Sequence, residues 1–151
     1  MRQMFVLAMF VASTTGNVSD AKGDPKSARG AVTKATVDGV DYEIIKCVRN
    51  GTKVTFEIIL LCENGDKDVG GGARNYDVYL TASDGTSVKP GLVETLPKGR
   101  ITLREGVKLK LQITKHNVPS DITEFGSVVL AANGDTPDKN VVFKKIAITK
   151  K

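Results

Sequence analysis

Catalytic chemistry in a small domain is carried most often by histidine, by cysteine or by paired carboxylates, and this chain has only one histidine and two cysteines in 151 residues. His116 stands in Lys115-His116-Asn117, a basic setting just past an apolar-alternating stretch. A nucleophilic triad would need a serine and a carboxylate brought to it, and no Gly-x-Ser-x-Gly elbow is present. The expectation is a histidine on a solvated loop and no catalytic residues. One histidine and two cysteines also fall short of a four-ligand zinc site at any standard spacing.

Hard oxygen ligands are better supplied. The loop from Glu63 to Asn75 carries Glu63, Asp66 and Asp68, and Gly134-Asp135-Thr136-Pro137-Asp138 could add Asp135 and Asp138, a set of carboxylates suited to Ca²⁺. The spacing is not that of an EF-hand, and Lys67 would oppose a cation. The competing expectation is a connector between strands, with no cofactor. Gly70 to Gly72 lacks the Gly-Lys-Ser/Thr ending of a phosphate-binding loop.

The third chemistry is charge. Twenty-two basic residues against 17 acidic ones give a formal +5. Lys108, Lys110, Lys144 and Lys145 are the candidates for a basic surface that could meet an anionic glycan or a protein at a cell surface; lysines on the polar side of a strand also serve solubility and guard edges against pairing. The absence of tryptophan and an aromatic content of 5% disfavour nucleic acid read by base stacking, and sugar-stacking lectin sites as well.

These residues must be positioned by strands. Alternation and turn dipeptides recur throughout the chain, and no window of a dozen residues shows the spacing of an amphipathic helix. Asn50-Gly51 between Val40–Val48 and Lys53–Cys62 is a strong hairpin signal. A two-residue turn there sets Cys47 opposite Val54 and Ile45 opposite Phe56, so one face would carry Ile45, Cys47, Val54, Phe56, Ile58, Leu60 and Cys62. Asp84-Gly85 predicts a second hairpin between Tyr76–Ser83 and Thr86–Lys89. Further strands are expected at Ile101–Leu103, Val107–Thr114, Ser127–Ala132 and Val141–Thr149. Seven to eight short strands in one domain point to an all-β, antiparallel immunoglobulin-like sandwich, with a closed barrel as the alternative. On that hairpin the two cysteines stand roughly 27 Å apart at ~3.4 Å per residue, far beyond disulfide reach; only a break in the long strand would let them bond.

The order Ile45-x-Cys47-x-x-Asn50-Gly51-x-x-Val54-x-Phe56, then Asn64-Gly65-Asp66-Lys67-Asp68, Asp84-Gly85, Leu103-x-x-Gly106-Val107 and Val118-Pro119, resembles the DUF4352-like group of exported bacterial sandwich domains. The ending Val141 to Ile148 looks like their closing strand, with Ala147 where proline is expected. The resemblance implies a surface-associated immunoglobulin-like domain with interaction roles and no defined catalytic residues.

The N-terminus supports export. Arg2 precedes the nine-residue apolar run Met4 to Ala12, and Ser13 to Ala21 is small and polar, the order of a signal peptide with cleavage after Ser13, Gly16 or Ala21. Residues 1–21 are expected to be that peptide, 22–30 a flexible leader, and 31–151 the β-sandwich, secreted or held at the envelope, with no transmembrane segment. The leading functional expectation is a non-catalytic module presenting a surface to another macromolecule. The alternatives are a calcium-binding or accessory domain of an extracellular enzyme system, and a structural module that pairs through an edge strand.

Overall fold

In the computed structural model, residues 30–69, 76–132 and 139–151 are described. The expected signal peptide, most of the leader, Asp135 and Asp138 lie outside them.

The chain is an all-β sandwich of antiparallel sheets, with eleven strands among the described residues: β1 (Lys34–Val37), β2 (Val40–Asn50), β3 (Lys53–Cys62), β4 (Lys67–Val69), β5 (Tyr76–Ala82), β6 (Val93–Leu96), β7 (Ile101–Leu103), β8 (Leu109–Lys115), β9 (Glu124–Ala132), β10 (Val141–Ala147) and β11 (Thr149–Lys150). The larger sheet runs β1-β2-β3-β8-β6, the smaller β10-β9-β5, and β4 pairs with β7 in a ribbon. One pair departs from the antiparallel rule, β11 lying parallel to β2.

The count exceeds seven to eight for local reasons. Asp38-Gly39 turns with positive φ at both residues (51° and 75°), the type I′ pattern, and so adds β1 as a hairpin partner of β2. The expected loop after Cys62 contains β4, and Val93–Leu96 forms the edge strand β6 beside β8. The expected strand Val141–Thr149 is interrupted at Ile148, whose N–H donates to the Thr123 carbonyl, and the chain then crosses to the larger sheet as β11. Thr86–Lys89 yields only a bridge, Ser87 to Thr81. Val107 lies exposed in the turn before β8 rather than in it.

The β2–β3 hairpin also differs in register. Asn50 pairs with Lys53, so Gly51-Thr52 forms the turn, and Gly51 alone takes a positive φ (60°), as a type II′ turn requires. Cys47 consequently faces Phe56. A β-bulge follows between Ile44 and Lys46, which leaves Ile45 without a partner. The extra residue changes which positions point inward: Val40, Tyr42 and Ile44 are buried before it, Cys47 and Arg49 after it. Ile45, expected in the core, is therefore exposed.

The two sheets meet through aromatic contacts. Phe56 of β3 and Phe125 of β9 pack with centroids 5.7 Å apart, and the hydroxyls of Tyr42 on β2 and Tyr76 on β5 lie 3.3 Å apart. A second bulge, at Thr81/Ala82, brings the Ala82 carbonyl so close to Gly126 that a Cβ there would stand 2.9 Å from it, so β9 needs glycine at that point. One end of the core is closed by cations. Arg49 and Lys115 share an inward row with Val54, and both are buried. Arg49 donates to the carbonyls of Gly51, Val118, Pro119 and Ile122 at 2.7–3.3 Å, and Lys115 donates to that of Gly91 at 3.1 Å. Carbonyl dipoles thus take the place of water around two charges, because a buried cation left without acceptors would cost several kcal/mol.

Candidate binding face on the larger sheet

Because β3 and β8 alternate strictly, their inward residues fill the core and Thr55, Glu57, Ile59, Lys110, Gln112 and Thr114 form the opposite surface. Register extends this surface into rows: Lys34, Glu43, Ile59 and Lys110 in one, Lys46, Glu57, Gln112 and Leu96 in the next, then Thr149, Val48, Thr55, Thr114 and Glu94. The bulge at Ile45 places Lys46 and Val48 on this side; unbroken alternation from Val40 would have turned them inward.

Two shallow grooves open on the face. One, of about 320 Å³, is lined by Lys46, Asn50, Thr55, Gln112, Lys150 and Lys151, with Val48 and Glu57 in its floor. The other, of about 360 Å³, lies over Ile59 and Leu61 between Lys34, Glu43 and Lys108. Lys110 stands between them and binds Glu57 at 2.8 Å; Lys46 approaches the same carboxylate at 4.0 Å. Glu57 is held below the ordinary carboxylate range, chiefly by the Lys110 hydrogen bond, which outweighs the opposing effect of burial, and to a lesser extent by the Lys110 and Lys46 charges. Lys34 pairs with Glu43 at 3.1 Å, and Thr36 donates to Asp41 at 2.6 Å. Six lysines and three carboxylates line the grooves or stand between them, Glu94 adds a fourth carboxylate at the β6 edge, and polar donors separate the charges: the face is net positive and open.

Of the basic residues expected to form a surface, the structure brings Lys108 and Lys110 together here. Lys144 and Lys145 lie elsewhere, exposed on β10 of the smaller sheet, where Lys145 takes a positive φ of 54°. Lys34, Lys46, Lys150 and Lys151 were not expected in this set. Lys46 was obscured by the bulge, and Lys150 and Lys151 by the crossing of the chain after β10.

The candidate calcium ligands are engaged with other groups. Asp66 accepts from Arg104 at 2.6 Å and from the Glu105 N–H at 3.0 Å, and these bonds, the backbone one foremost, lower its pKa. Asp68 binds Thr102 at 2.7 Å and Arg100 at 2.8 Å, while Glu63 is exposed at the turn after β3. Among the described residues, no three His, Cys, Asp or Glu side chains are grouped to hold a metal ion.

His116, one residue beyond β8, has Nε2 3.0 Å from Glu94 Oε1 in an approach not aligned as a hydrogen bond. Beside it, burial lowers the Lys115 pKa and the charge of Asp77 partly opposes that shift. Both cysteines are free and buried. Cys47 faces Phe56, six residues short of Cys62 on β3, so the thiols are roughly 20 Å apart at ~3.4 Å per residue. Burial pushes the Cys47 thiol up to about 12, against a lesser opposite pull from Arg49.

No family model, no curated protein and no solved structure matches this chain. Among the described residues, no helix is long and apolar enough to cross a membrane.

Proposed function

We propose that this chain is an exported, non-catalytic immunoglobulin-like module that holds an anionic glycan chain against the outer face of its larger sheet. The observation that carries the reading is the pair of adjoining grooves ringed by Lys34, Lys46, Lys108, Lys110, Lys150 and Lys151, with acceptor and donor side chains between the charges. Hydroxyls and amides at Thr55, Thr114, Gln112 and Asn50 suit a polyhydroxylated ligand. Aromatic stacking is not part of this mode of recognition; charge and hydrogen bonding carry it. Export rests on the order of Arg2, the Met4 to Ala12 apolar run and the small residues that follow.

Titration calorimetry with a sulfated or uronic acid polysaccharide, and with neutral dextran as control, tests the reading. Binding to the anionic polymer alone, weakened by salt and by Lys46→Ala with Lys110→Ala, is the expected result. Equal affinity for dextran, or binding untouched by the lysine substitutions, would refute it.

A further inference from the structure

The smaller sheet presents a different outer surface. Tyr79 on β5, Val129 on β9 and Val142 on β10 are directly paired across the sheet and form one apolar row, with Tyr79 59% and Val142 38% exposed. One step along the strands in one direction the row is Thr81, Ser127 and Lys144; one step the other way it begins with Asp77 and Ala131. Asp77 and Lys144 therefore occupy opposite corners of the patch, on the two outer strands, with Val129 midway between them.

That placement is self-complementary. Suppose a second copy is laid face to face and related by a two-fold axis that passes over Val129 at right angles to the Asp77–Lys144 diagonal. Each Asp77 then meets the Lys144 of the other copy, twice per pair, and Val129 meets Val129. Tyr79 falls over Ser127 and Val129 of the other copy. The strands of the two copies cross steeply, in the manner of orthogonal sheet packing. We propose that a second copy of this chain covers the outer face of the smaller sheet in such an isologous dimer. Three strands ~4.8 Å apart and about seven residues long offer roughly 340 Å² per copy, near 700 Å² in all, below the ~1,200 Å² of stable complexes. The dimer is thus weak and depends on concentration, and it leaves the lysine-lined face of each copy open on the outside.

Sedimentation velocity over a dilution series reaching high protein concentration tests it. Wild type is expected to dimerise reversibly. Asp77→Lys or Lys144→Asp alone turns both corner contacts into like-charge pairs and should weaken association by about tenfold or more, while the double variant restores the attraction and with it the dimer. Val129→Lys places two like charges on the axis and should abolish association, with circular dichroism confirming that each variant keeps its fold. A wild type that stays monomeric at the highest concentration, or a dimer that ignores the single charge reversals or is not recovered in the double variant, overturns the proposal.

Discussion

Ile44 and Ile45 are the same side chain at consecutive positions, and the first is 7% exposed while the second is 50% exposed. The bulge between Ile44 and Lys46 separates them: Ile44 pairs with Ile58 inside the sandwich, and Ile45 is the extra residue that turns the rest of β2 over. Ile44→Ala should therefore cost about 2 to 5 kcal/mol by cavity formation, and Ile45→Ala less than about 0.5 kcal/mol. Urea unfolding of the two variants decides the matter. Equal costs would place both isoleucines in the core and remove the bulge.

That pair also marks where the fold was legible and where it was not. The alternation of Val54, Phe56, Ile58, Leu60 and Cys62 gives one inward face, and all five are buried as that pattern requires. Leu111 and Ile113 behave in the same way. Periodicity has no sign for a bulge, because two adjacent isoleucines fit either face; the Cys47–Val54 register consequently gives way to Cys47–Phe56. Asp38-Gly39 carried as clear a turn signal as Asn50-Gly51, but the short, half-exposed β1 offered little alternation to accompany it. The candidate site was less legible for a further reason. Its lysines come from β1, β2, β8 and the end of the chain, and only sheet register places them side by side.

Cys47 sets an alkaline limit on stability. Its thiol titrates at about 12 in the fold against an ordinary 9.0, so the native state keeps a proton that the unfolded chain gives up. The stability this lends is complete below pH 9 and drains as pH rises toward 12, by about 1.4 kcal/mol per unit. Cys47→Ala should lose that slope while retaining the rest of the alkaline transition. Native alkylation should be slow and alkylation of the denatured, unreduced protein complete, since a buried thiol is shielded. Cys47→Ser should be less stable than Cys47→Ala by about 1 to 3 kcal/mol, the cost of a core hydroxyl without a partner. Identical alkaline limbs in wild type and Cys47→Ala would contradict this account.

Arg49 ties the end of β2 to the segment Val118–Ile122 through three carbonyls, at 3.2, 3.0 and 2.7 Å. The guanidinium is needed for its shape as well as its charge, because only a planar fork reaches Val118 and Ile122 together. Arg49→Met should cost about 2 to 4 kcal/mol, and Arg49→Lys should recover less than half of that. Hydrogen exchange of the Val118 amide, which donates to the Thr52 carbonyl, should quicken in both variants. Unchanged protection there would mean that other contacts hold the segment.

Glu57 is the internal competitor for any anion on the lysine face, since it already accepts from Lys110 at 2.8 Å and stands 4.0 Å from Lys46. Its carboxyl is held below the ordinary range by that hydrogen bond and by the two ammonium charges. For the fold the sign is that of a depressed carboxyl: what the contact lends is present above the usual carboxylate pKa and is lost as pH falls through the lowered value. Ligand binding changes in the opposite direction. Protonation removes a negative charge from the groove and releases Lys110 and Lys46, so affinity for a sulfated glycan, which stays ionised, should rise as pH falls through the lowered Glu57 value. Glu57→Gln should bind that glycan several-fold more tightly at neutral pH and lose the acid-side gain that Glu57 supplies. Calorimetry between pH 3 and 7 on wild type and variant measures that difference. If Glu57→Gln binds no better than wild type at neutral pH, the glycan does not use the Lys46–Lys110 side of the face.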